Sequence, residues 1–105
     1  MLTIEADRDD ENYSSFHMIG SALALCTYTV LHSWAHHSKI EADDLSIHVE
    51  WDFAEYPHRL SNMRTRIEWP SLPAERRTAA ERAAGLCAVH ATLTHPVAID
   101  TTVNA

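Results

Sequence analysis

The 105-residue sequence predicts an α+β fold, with a long central helix and a second helix packed on an antiparallel sheet. Three observations carry that expectation. Apolar residues recur at spacings of three and four over residues 12–37. Two runs that alternate with a period of two come next, followed by an alanine-rich charged segment closed by glycine.

In the first stretch Phe16, Ile19, Leu23, Cys26, Val30 and Trp34 form the apolar stripe, and Ser14 or Ser15 can cap the helix. Gly20, Ser21, Ala22 and Ala24 are small enough to let a neighbouring backbone come close. With apolar flanks as well, this helix should be buried on most sides. Leu45, Ile47, Val49, Trp51 and Phe53 then alternate with Ser46, His48, Glu50 and Asp52, the signature of a strand with one buried face. A turn around Pro57 leads to a second run, in which Met63, Ile67 and Trp69 share the core face and Leu60, Asn62, Arg64, Arg66 and Glu68 lie on the other. Ser71 as a cap and Pro73 in the first turn predict a helix over residues 74–84, which Gly85 stops. Residues 87–93 suit one more short helical turn, Pro96 breaks it, and Val97, Ile99, Thr101 and Val103 alternate as a last strand.

Three strands are few to cover a helix this apolar, so a second copy of the chain should supply the remainder, as a homodimer. The chain is short enough for one domain, residues 1–105, and 46% apolar with 22% charged residues is an ordinary globular balance. A net charge of −7 disfavours nucleic acid and anionic membrane surfaces as partners. The acids at 7–11 and 41–44 read as solvated faces. The start, M-L-T-I-E-A-D-R-D-D, has neither the basic flank nor the apolar core of a signal peptide, and the longest apolar run is too short to span a bilayer. Two cysteines are too few for a disulfide scaffold. These points favour a soluble, cytoplasmic protein.

Cys26 lies midway along the long helix and Cys87 just after Gly85, so the two thiols can meet only if the fold brings two helices together. A pair of thiols can pass electrons; either can equally be a small buried apolar group. Histidine offers a rival chemistry, because His32 and His36 stand four apart on one helix face with His37 adjacent, a spacing that suits a transition metal. No third ligand is evident in the sequence. Trp34, Trp51 and Trp69 read as core aromatics.

The strings G-S-A-L-A-L-C-T and E-R-A-A-G-L-C-A-V-H-A-T-L, with P-H-R-L-S-N-M between them, resemble the OsmC/Ohr family of thiol-dependent hydroperoxide reductases. That family places one Cys inside the central helix and another in a C-P-V-H-x-T-L-like segment; here Ala88 stands where Pro is usual. The resemblance runs from about residue 12 to the end. It implies the OsmC-like fold with the N-terminal sheet shortened or missing, an intertwined homodimer, and no cofactor.

It also implies the chemistry. Cys26 would be the peroxidatic thiol, oxidised to a sulfenic acid by an organic hydroperoxide, and Cys87 the resolving thiol that closes an intramolecular disulfide for a dithiol reductant to reopen. The thiolate is the nucleophile, so Cys26 needs a cationic or hydrogen-bond-donating neighbour. The family's Arg lies further upstream than this chain extends, and Arg8 is too near Cys26 in sequence to be its equivalent. The family's Glu falls on Phe16 or His17. His17, as an imidazolium, is therefore the candidate third catalytic residue, and His90 could lie within reach of Cys87. An apolar pocket at the dimer interface, lined by residues such as Met18, Leu23, Trp34 and Trp51, would favour organic over hydrogen peroxide. The alternative is a dimeric binding or structural protein that keeps the fold without the Arg–Glu pair.

Overall fold

The computed structural model describes residues 14–105. The first two residues of the expected helix, Arg8 and the acids at 7–11 lie outside the described residues. Helix α1 spans Ser15–His37, strand β1 Ser46–Ala54 and strand β2 Arg59–Glu68. A 3₁₀ turn at Ala74–Arg76 leads into α2, Arg77–Ala84, and α3 covers Ala88–Thr94. The architecture is α+β, with α1 at its centre, β1 on one side and α2 and α3 against the other elements of its surface.

Ser14 caps α1, its hydroxyl accepting the His17 backbone N–H at 3.3 Å. Gly20, Leu23, Thr27, Leu31 and Ala35 are the buried positions of α1, a stripe rotated from the expected one. Ile19, Cys26, Val30 and Trp34 are half-buried on its flank. Gly20 is where the small-residue expectation becomes concrete. A Cβ there would run into the Trp51 indole, so any side chain larger than hydrogen at this position would have to displace that ring. Towards its C-terminal end α1 contributes Leu31 and Ala35 to a closed cluster with Leu45, Trp69, Ala80 and Ala83. Trp69 anchors that cluster: its ring meets Trp34 edge-on at 6.0 Å, and its indole N–H donates to the Glu41 carbonyl at 2.9 Å.

β1 and β2 pair antiparallel, with Ile47 opposite Ile67, Val49 opposite Thr65 and Trp51 opposite Met63. The outward faces carry Arg64–Asp52 at 2.7 Å and Arg66–Glu50 at 3.4 Å, exposed pairs of small energetic weight.

Four expectations require correction. A register shift after Asp52 leaves Ser61 without a partner and sets Leu60 opposite Phe53, so Leu60 returns to the apolar face instead of the polar one. Ser71 does not cap the second helix. Its hydroxyl and N–H donate to Asp44 at 2.6 and 2.7 Å, which holds that carboxyl below the usual range and makes Asp44 more than part of a solvated face. Pro73 stands at the N-cap of the 3₁₀ turn and not inside the helix. Finally, residues 97–103 form no strand: the segment takes no regular structure, is exposed and pairs with neither β1 nor β2. Alternation alone cannot make a strand where no edge receives it.

The chain is elongated, 56 × 32 × 27 Å, and its 16.5 Å radius of gyration exceeds the roughly 13 Å of a compact chain of this length. Met18, Leu25 and Tyr28, seven and three apart on α1, share an exposed face. Among the described residues, no helix is long and apolar enough to cross a membrane.

Candidate functional site

The two cysteines meet. Cys26 projects from the half-buried flank of α1, and Cys87 is the N-cap of α3, fully shielded from solvent. The chain reaches this point without a linker. The N–H groups of Gly85, Leu86 and Cys87 bond back to the carbonyls of Glu81, Ala83 and Ala84, so the end of α2 turns directly into the start of α3. Cys87 takes the extended backbone of a cap (φ −63°, ψ 128°), and its Sγ accepts the His90 backbone N–H at 3.4 Å. The far end of α3 is set by Pro96, which holds His95 extended at φ −124°, ψ 142°.

Both thiols are free. The Cys87 side chain is the strongest influence on the Cys26 thiol, and the backbone N–H groups of Val89 and Ala88 add to it. Together they hold the Cys26 thiol below its ordinary range, against partial burial that pushes it up. The first turn of a helix has N–H groups with no partner inside the helix, and here they face a sulfur that can become an anion. The sequence placed both cysteines but carried no sign of these donors, because backbone amides have no residue type.

His17 is placed elsewhere. Its ring Nδ1 lies 2.8 Å from the Ser14 hydroxyl, and the ring meets Trp51 edge-on at 5.1 Å. The nine residues of helix from His17 to Cys26 amount to about 13.5 Å of rise and roughly two and a half turns, so the two side chains leave α1 on opposite sides. The structure does not bring them together. His90 is near Cys87 through its backbone; its side chain belongs to the cleft described next.

A cleft of about 600 Å³ is bounded by Leu23 and Thr27 of α1, Leu60 and Met63 of β2, Glu81 of α2 and His90 and Leu93 of α3, sequence neighbours of the cysteines, with neither cysteine in its lining. Of the four residues expected to line a pocket at the dimer interface, Leu23 borders this cleft within one chain. Met18 is exposed, Trp34 packs on Trp69, and Trp51 covers Gly20. His32 and His36 border a separate shallow cleft with Lys39, Glu41 and Asp43. Among the described residues no three His, Cys, Asp or Glu side chains converge to hold a metal ion.

A family model described as OsmC-like protein matches residues 8–102. A crystal structure from Psychrobacter arcticus 273-4, of a protein named for osmotic stress induction and the detoxification response, is similar in fold. The TM-score is 0.74 at 23% identity, over 83% of this chain and 64% of that one. No curated protein matches the chain.

Proposed function

The chain belongs to the OsmC-like protein family, and from that premise we propose that it is a thiol-dependent reductase of organic hydroperoxides, acting in a stress or detoxification response. One observation carries the reading: two cysteines 61 positions apart in the sequence come close enough for Cys87 to be the strongest of the influences that shift the more accessible Cys26 thiol towards the anion.

Cys26 is the peroxidatic residue and Cys87 the resolving one. The Cys26 thiolate attacks the outer oxygen of ROOH, the O–O bond breaks, and the leaving alkoxide takes up a proton to give ROH. The Cys87 thiol then attacks the resulting sulfenic acid, and an S–S bond forms with loss of water. A dithiol reductant supplies two electrons and two protons to reopen it. Leu23, Leu60, Met63 and Leu93 in the adjoining cleft suit the apolar part of an alkyl peroxide. His17 holds the start of α1 and faces Trp51 instead of taking part.

The protein works as a homodimer. The exposed Met18–Leu25–Tyr28 face, the elongated shape and the unpaired residues 97–103 all call for a second copy to cover them. Light scattering should give twice the chain mass.

Reduced protein is treated with one equivalent of an organic hydroperoxide, free thiols are counted and the products are mapped by mass spectrometry. Rapid loss of both thiols with a Cys26–Cys87 bond is the expected result; inert thiols would sink the reductase. The second reading, a binding protein on the same fold, draws on one observation: the groups that lower Cys26 are a thiol and two amides, none of them a cation. Inert thiols in a well-folded dimer would favour it.

A further inference from the structure

The same sulfur that would resolve the peroxidatic cysteine also holds α3 in place. α3 has seven residues, none of them buried and none acidic in its first turn, while the residue that caps it is completely buried. Beside the half-buried Val89, α3 is held through Cys87, whose Sγ accepts the His90 N–H at 3.4 Å and whose thiol neighbours Cys26. These two roles conflict once the sulfur is oxidised. Closing the gap from hydrogen-bonding separation to the roughly 2 Å of an S–S bond draws Sγ towards α1 and away from the His90 amide. A disulfide sulfur is also a poorer acceptor than a thiol or thiolate.

We propose that α3 is a redox-gated flap: formation of the Cys26–Cys87 disulfide withdraws the side-chain N-cap of α3, frays its first turn and opens the buried Cys87 side of the bond to a dithiol reductant. The inference rests on the proposed thiol chemistry and adds to it a way in for the reductant, which a fully shielded Cys87 otherwise denies. The redox balance is unchanged: two thiols lose two electrons and two protons, and the reductant returns them. The flap also carries His90 and Leu93 of the neighbouring cleft, so the same event reshapes that cleft.

The test is amide hydrogen exchange across residues 88–92 in the intact protein, reduced and after oxidation by diamide, which takes two electrons and two protons from a thiol pair without any peroxide. Loss of a cap should speed exchange at Val89 and His90 by about fivefold. Cys87→Ala should exchange that fast with no oxidant. Cys87→Ser, with a hydroxyl that caps but cannot form a disulfide, should stay slow with or without diamide. The wild-type comparison needs no substitution, so a variant that folds poorly does not spare the proposal. Oxidised protein whose α3 amides exchange as slowly as reduced protein, or more slowly because the bond staples the helix down, overturns the flap. Failure of diamide to make the bond overturns the flap together with the reading beneath it. A bond made by diamide but not by a hydroperoxide counts against the reductase alone, and the exchange rates then still decide the flap.

Discussion

α2 and α3 follow one another in the chain, differ by one residue in length and both lean on α1, yet they are held there by different physics. α2 has no side-chain cap and sends Ala80 and Ala83 into the closed cluster with Leu31, Ala35 and Trp69. α3 buries none of its own residues and is tied down by a capping thiol and the hydrogen bonds around it. Packing without polar groups is insensitive to protonation and oxidation. A helix held by a sulfur changes its footing when that sulfur reacts. The contrast sets the proposed thiol chemistry at the loosely held end of the molecule and the closed cluster at the other.

The largest test of the contrast is Leu31→Ala, which empties the floor under α2. Leu31 is fully buried, and the loss should be about 2–5 kcal/mol in urea unfolding. The Cys26–Cys87 contact should still form at low denaturant if the two helices are held independently. Gly20→Ala comes next. The added methyl meets the Trp51 ring, and overpacking of this kind costs about 1–3 kcal/mol, read as a lower urea midpoint.

A third test addresses the thiol end. Cys26 ionises below its ordinary range, so iodoacetamide should alkylate it at a lower pH than an unperturbed thiol. Cys87→Ala, which removes the principal donor, should move that midpoint upward. Linkage gives the sign for stability. Between the lowered folded pKa and the ordinary thiol value the unfolded chain keeps a proton the folded chain has lost, so this contribution grows as pH rises and disappears as pH falls through the folded pKa. The smallest effect belongs to His17→Ala, which should leave the Cys26 alkylation profile where it was, because the ring contacts Ser14 and Trp51. A shift in that profile would mean that α1 transmits charge between its two ends, and would blur the division drawn here.

The parts of the fold that rest on repeated side-chain pattern were legible in the sequence. The extent of α1 within the described residues, the alternation of β1 and the end of the alanine-rich helix at Gly85 appear where expected, whereas the buried stripe of α1 is rotated. The two cysteines were also placed correctly on their elements. What was hidden depends on partners without a pattern of their own. Leu60 changes face because of one unpaired serine, and Ser71 abandons a helix for a carboxylate 27 residues away. The donors to Cys26 are backbone amides, and residues 97–103 show that an alternating segment needs an edge to join before it becomes a strand.

The unpaired Ser61 also sets how this hairpin tolerates change in length. Asn62 faces Asp52 and Leu60 faces Phe53, so Ser61 is the one β2 position whose deletion would leave every cross-strand partner and both faces unaltered. Removal of any residue from Met63 to Ile67 would instead exchange the inner and outer faces of the strand on one side of the gap.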